Sequence, residues 1–219
     1  MIKKELGFRE IPVHFGLSKR KHLPCICLGE NKKFNFPPYR IDIFRKLHNI
    51  KESKEDNIVS ISVKGFVFKL LPGYAECIER EWVEWGSHYR PPFPLENKTV
   101  MDIGAGCGET ILFFATKGCC DFIAIEPSVA CAELIKQNAE LNRLKIKIIN
   151  DVFKPEHLEL NYDFIKCDCE GGEEILLGKK IKPVALEVHG SNLIDKFIKE
   201  GYITTHVFKT GVRIMRNYR

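Results

Sequence analysis

The chain has 219 residues, 44% hydrophobic and 29% charged, with a net charge of +5. That length holds one hydrophobic core plus an extension, and the composition is that of a globular protein, not of a disordered or fibrous one. No run of 18 apolar residues occurs, so no membrane-spanning helix is expected, and MIKKELGFREIPVHF lacks the apolar stretch of a secretory signal, so a cytoplasmic location is expected.

In chain order, residues 39–50 (YRIDIFRKLHNI) predict a helix with Ile41, Phe44, Leu47 and His48 on one face. Residues 51–57 (KESKEDN) read as a charged connector. IVSISV and FVFKLL, separated by Lys64-Gly65, predict a β-hairpin. Residues 75–86 predict a short amphipathic helix closed by Gly86, and Arg90-Pro91-Pro92-Phe93-Pro94 an extended linker. From Lys98 the pattern alternates strictly. Strands are predicted at 98–103, 121–126, 145–149, 162–168 and 183–189. Helices are predicted at 108–117, 128–142 (with Ser128 as N-cap), 171–178 and 191–200, and residues 150–161 as an irregular link. A last pair of β-runs, 202–208 and 211–216, reads as a hairpin.

This alternation predicts an α/β fold: a Rossmann-like, doubly wound, seven-stranded, mostly parallel sheet with an antiparallel last strand. Residues 1–97 are expected to form an N-terminal α+β extension that serves as a substrate or lid region. Residues 98–219 form the main domain. Nine cysteines without a C-x-x-C pair suggest reduced thiols, and neither Cys25-x-Cys27 nor Cys167-x-Cys169 has zinc-knuckle spacing, so no metal is expected from them.

The most informative stretch is Val100-Met101-Asp102-Ile103-Gly104-Ala105-Gly106-Cys107-Gly108-Glu109-Thr110. A strand runs into three glycines at alternate positions and then into a helix. Such a turn lets a ligand lie against the main chain and aims helix N–H groups at it. The spacing is G-x-G-x-G; a dinucleotide fingerprint would place its third glycine at Glu109. With Asp102 just before, it is the usual signature of an S-adenosylmethionine (SAM) pocket. Asp102, Gly104, Ala105, Gly106, Gly108 and Glu109 are the candidate cofactor contacts there.

Glu126 ends the second strand of the alternating region, with Pro127 after it. A carboxylate there can accept from both ribose hydroxyls. Asp151 and Val152 follow the third strand and are candidates to border the adenine. Lys166-Cys167-Asp168-Cys169-Glu170-Gly171-Gly172-Glu173 follows the fourth, where open α/β sheets place catalytic groups. Asp168 and Glu170 can form an acid/base pair or a hard-metal site, and Asp168 can also touch the cofactor. Glu173 and Glu174 read as complements to a helix dipole. His189, ending the fifth strand, is a third candidate base. Tyr74, Trp82, Trp85 and Tyr89 are candidate lid aromatics.

Four blocks together resemble FkbM-type SAM-dependent methyltransferases: VMDIGAGCGET, AIEP (124–127), FIKCDCEGGEEILL and KPVALEVHG (182–190). They cover about residues 98–190 in the family's order. Cys167, Cys169 and Gly172 depart from the family's block, and residues 1–97 resemble nothing. The resemblance implies an enzyme that transfers a methyl group to a hydroxyl or amine, on a small-molecule or glycan acceptor. An RNA acceptor (tRNA or rRNA) is the alternative, suited by the basic charge, although no D/N-P-P-Y motif of base amino-group enzymes is present. A non-catalytic SAM-binding module and an NAD enzyme are disfavoured, the first by the retained acids and the second by the glycine spacing.

Overall fold

The computed structural model describes residues 51–55, 58–74, 88–208 and 211–218. The predicted helices at 39–50 and 75–86, Trp82, Trp85 and the Cys25/Cys27 pair lie outside the described residues.

The described residues form two sheets. The first is antiparallel: β1 (Lys51–Glu55), β2 (Ile58–Val63) and β3 (Phe66–Leu70), in that order. Val63 pairs with Phe66 across Lys64 (φ 50°) and Gly65 (φ 87°), so the expected hairpin forms on a two-residue turn with both central residues left-handed. The reading of residues 51–57 as a connector is corrected: KESKE is an edge strand, paired with β2 from Lys51↔Ser62 to Glu55↔Ile58. Its composition carries no apolar alternation, and its backbone pairing comes from the neighbour.

The second sheet has seven strands in the order β6-β5-β4-β7-β8-β10-β9. The strands are β4 (Thr99–Ile103), β5 (Asp121–Ile125), β6 (Lys145–Ile149), β7 (Phe164–Cys167), β8 (Val184–Val188), β9 (Ile203–Val207) and β10 (Arg213–Asn217). β4 to β8 are parallel; β10 runs antiparallel between β8 and β9. The predicted Rossmann-like sheet with an antiparallel last strand is observed. β7 and β8 are buried at every position, as parallel strands covered on both faces must be.

Among the described residues, the complete α-helices are α1 (Glu109–Ala115), α2 (Val129–Asn142) and α3 (Ser191–Lys199). Ser128 caps α2 by accepting from the Cys131 N–H at 3.3 Å. The expected helix over 171–178 is instead a short 3-10 helix, Gly172–Leu176. It starts after Glu170 (φ 46°) and Gly171 (φ 113°), a left-handed pair that turns the chain sharply off β7.

The small sheet packs on α2 and α1, and Phe68 and Leu70 are fully buried there beside Ile111 and Ile135. Burial of side chains of that size stabilises the fold by about 2 kcal/mol each. Asn138, also fully buried, accepts from the Lys69 N–H (2.7 Å) and donates to the carbonyls of Lys69 (2.9 Å) and Cys107 (3.2 Å). One side chain thus ties β3 to the loop that follows β4.

Candidate active site

A cavity of about 560 Å³ opens at the carboxyl ends of β4, β5 and β7, a volume suited to a small ligand. Gly104, Gly106, Glu109, Glu126, Pro127, Val152, Asp168 and Glu170 line it, together with Tyr74, Tyr89 and Lys166. Eight of the expected site residues are thereby brought together from four separate segments.

The glycine loop is held open by backbone geometry. Gly104 has φ 70°, and a Cβ on it would stand 1.8 Å from the Asp168 carbonyl oxygen. Gly106 has φ 53°, and a Cβ there would meet Glu109 Oε1 at 2.5 Å and the Tyr74 ring at 2.6 Å. Only glycine satisfies both the angle and the space at these positions. The Gly104 and Ala105 N–H groups are both bonded to the Ile125 carbonyl.

Glu126 fixes this loop from the neighbouring strand. Its Oε2 accepts from the Gly106 N–H (2.9 Å) and its Oε1 from the Ser128 N–H (2.8 Å), with the side chain almost wholly buried at the cavity wall. Each carboxylate oxygen keeps a further lone pair with which to accept from a ligand hydroxyl. Glu109 Oε2 accepts from the Cys107 N–H at 3.0 Å, closing the same turn.

Other expected contacts stand elsewhere. Ala105, buried, and Gly108, the left-handed cap of α1, shape the loop from behind without lining the cavity. Asp102 is fully buried beneath it, so its expected ligand contact is replaced by a structural role. Lys166 Nζ lies 2.9 Å from Asp102 Oδ1 and donates to the Gly104 carbonyl at 2.7 Å. Burial pushes the Asp102 carboxyl up to about 6 against the pull of the ammonium, and the pair is charged at neutral pH. Asp151 is turned to the surface in an ion pair with Lys154, away from the cavity, while Val152 lines it.

His189 does not line the cavity. Its Nδ1 is 3.1 Å from Glu173 Oε1, and its Nε2 is 3.6 Å from Glu187 Oε1 and 3.9 Å from Asp168 Oδ1. Burial lowers its pKa, but the hydrogen bonds to Glu173 and Glu187 and the charge of Asp168 prevail and raise it to about 11. Its Nε2 faces Asp168 and Glu187 and does not line the cavity, so this geometry does not present it to an acceptor there as the expected base. Glu173 has its carboxylate fully buried and accepts from the Gly171 N–H (2.6 Å) and the His189 N–H (2.7 Å). It is an organiser of this corner, beyond the helix-dipole complement expected of it.

Three residues escaped the sequence reading. Lys166 was visible in its block, as a lysine in an apolar strand, but its partner Asp102 becomes evident only when β4 and β7 pair. Glu187 is equally anomalous within PVALEV; it is buried, and the Tyr89 hydroxyl donates to its Oε2 at 3.3 Å. Asn138 left no signal among the polar residues of α2.

No family model and no curated protein sequence matches the chain. Solved structures do. TYW2 of P. horikoshii in complex with MeSAdo aligns with a TM-score of 0.51 at 16% identity, over 82% of this chain and 81% of that one. TYW2 of M. jannaschii in complex with AdoMet aligns at 0.47 and 17% identity, over 75% and 85%. The T. thermophilus 16S rRNA N2 G1207 methyltransferase, in complex with AdoMet and guanosine, aligns at 0.47 and 16% identity, over 78% of this chain. The chain spans half the length of that last protein. At 16% identity the first of these likenesses bears on the fold alone, the Rossmann-like α/β sheet described above.

Proposed function

We propose that this chain is a SAM-dependent methyltransferase. The observation that carries the reading is the joint geometry of Gly104, Gly106 and Glu126. Two positive-φ glycines leave no room for a side chain, and a buried carboxylate braces the second of them from the adjacent strand. This cradle suits the amino-acid end of the cofactor along the loop and its ribose hydroxyls on Glu126, with Val152 flanking the base. When bound, SAM supplies a methyl group already activated by the sulfonium. The chain's own residues then align, shield and remove a proton. Tyr74 and Tyr89 line the cavity, and aromatic rings there suit a sulfonium. Asp168 and Glu170, on the cavity wall beyond the glycine loop, are the groups placed to take the acceptor's proton as the methyl is transferred to oxygen or nitrogen.

For the acceptor we favour RNA over the small molecule or glycan that the FkbM resemblance implies. The net charge of +5 supports this, as does the grouping of Lys64, Arg90 and Lys117, whose mutual repulsion adds to burial in lowering the Lys117 ammonium to about 8. The ribosomal enzyme named above acts on RNA, at a similarity that bears on fold alone.

Calorimetry with SAM on the wild type and on Glu126→Ala tests the cofactor reading. A fall in affinity of tenfold or more is expected; equal affinity removes Glu126 from the ribose, and no binding by the wild type ends the proposal. Transfer of labelled methyl from SAM to bulk tRNA and rRNA, against hydroxyl-bearing small molecules and glycans, tests the acceptor. RNA labelling that weakens steeply with salt is expected, since phosphate contacts release counterions. Labelling confined to small molecules or glycans would restore the FkbM reading.

A further inference from the structure

Asp168, Glu187 and His189 converge because of strand register. Cys167 pairs with Leu186 across parallel β7 and β8, which brings the next residues, Asp168 and Glu187, side by side. His189 lies two residues beyond Glu187 and so returns to the same face. One ligand atom from each of the three lies within 4.8 Å of the others. The separations from His189 Nε2, 3.6 Å to Glu187 and 3.9 Å to Asp168, are close to the spacing of about 3.4 Å between donors of a four-coordinate ion with bonds near 2.1 Å.

We propose that Asp168, Glu187 and His189 form a binding site for a divalent transition cation, Mn²⁺ or Zn²⁺, at the wall of the cavity. One imidazole and two carboxylates are a donor set for such ions, and three protein ligands leave coordination positions open. Glu173 accounts for the orientation. It holds Nδ1 of His189 at 3.1 Å and the His189 N–H at 2.7 Å, so Nε2 is the nitrogen presented to the two acids. Carboxylates commonly hold metal-ligating histidines in this manner. Tyr89 plays the corresponding part for Glu187 through its hydroxyl. Because Asp168 also lines the cavity, an ion held by the three residues would lie next to it and could supply Lewis-acid chemistry there. The site shares Asp168 with the cavity of the SAM reading, while Glu187 and His189 lie outside the cavity lining.

The test uses the full chain, stripped with a chelator and titrated with Mn²⁺ by calorimetry and with Co²⁺ by visible absorption. One ion per chain is expected, with a Co²⁺ spectrum that His189→Asn abolishes. Asp168→Asn and Glu187→Gln, near-isosteric changes, should each weaken Mn²⁺ binding tenfold or more, and Glu173→Gln by about 10–100-fold through loss of orientation. Circular dichroism of each variant separates lost ligands from lost folding, and a variant that does not fold is replaced by the remaining ones. Absence of saturable Mn²⁺ and Co²⁺ binding by the wild type, or binding that the folded variants retain, overturns the proposal. SAM affinity measured on the same samples reports separately on the cofactor reading.

Discussion

Asp102 and Lys166 are register partners on the adjacent parallel strands β4 and β7, with their charged atoms 2.9 Å apart and both side chains closed off from solvent. Lys166 also donates to the Gly104 carbonyl, so the pair anchors the first residue of the glycine loop from below. A buried ion pair is poor evidence of net stability, but removal of one member leaves the other charge uncompensated.

Lys166→Met is therefore expected to destabilise the chain by about 3–5 kcal/mol, read from chemical denaturation. The double variant Asp102→Leu/Lys166→Met should recover most of that loss, because no buried charge remains. A double variant no more stable than the single would show that the hydrogen bond to Gly104 matters more than the charge balance.

The same pair gives a pH signature. The Asp102 carboxyl stands at about 6 in the fold against an ordinary 3.8. A raised carboxyl binds its proton more tightly folded than unfolded. Its contribution to stability is fully present below the lower value and is lost as pH rises through about 6. The stability difference between wild type and Asp102→Asn should thus shift against the wild type by up to about 3 kcal/mol from pH 4 to pH 7, at roughly 1.4 kcal/mol per pKa unit. A difference that is flat with pH would place the carboxyl at its ordinary value.

Gly104→Ala should abolish SAM binding. The new methyl collides with the Asp168 carbonyl, an atom of the backbone that cannot swing aside, and φ 70° is strained for alanine. Calorimetry is expected to show at least a hundredfold weaker binding, with a lowered melting temperature. Gly211→Ala is the control: it has φ 88° in open space, and should cost stability without touching affinity.

Asn138→Ala removes the bonds to both backbone groups of Lys69 and to the Cys107 carbonyl. Unsatisfied buried groups cost about 1–3 kcal/mol each, so a loss of about 2–4 kcal/mol is expected. Since Cys107 lies in the glycine loop, SAM affinity should fall as well. Unchanged affinity would mean that β3 and the loop are positioned independently.

How much was legible in the sequence follows from how local each feature is. The hairpin at Lys64-Gly65, the Ser128 cap, the βα alternation and the glycine loop were all readable, because each rests on residues adjacent in the chain. Turn geometry, capping and apolar periodicity act over a few residues, and their signals survive without the rest of the molecule. The edge strand Lys51–Glu55 was not readable, since its polar residues are extended by pairing with β2. The shortening of the expected helix after Gly171 to a single 3-10 stretch likewise arises where the chain must return to β8. The Asp102–Lys166 pair, the bridge made by Asn138, and the meeting of His189 with Asp168, Glu173 and Glu187 join residues distant in sequence. Only strand register and packing brought them within bonding distance, because the energy of a buried charge depends on which side chains the fold sets beside it.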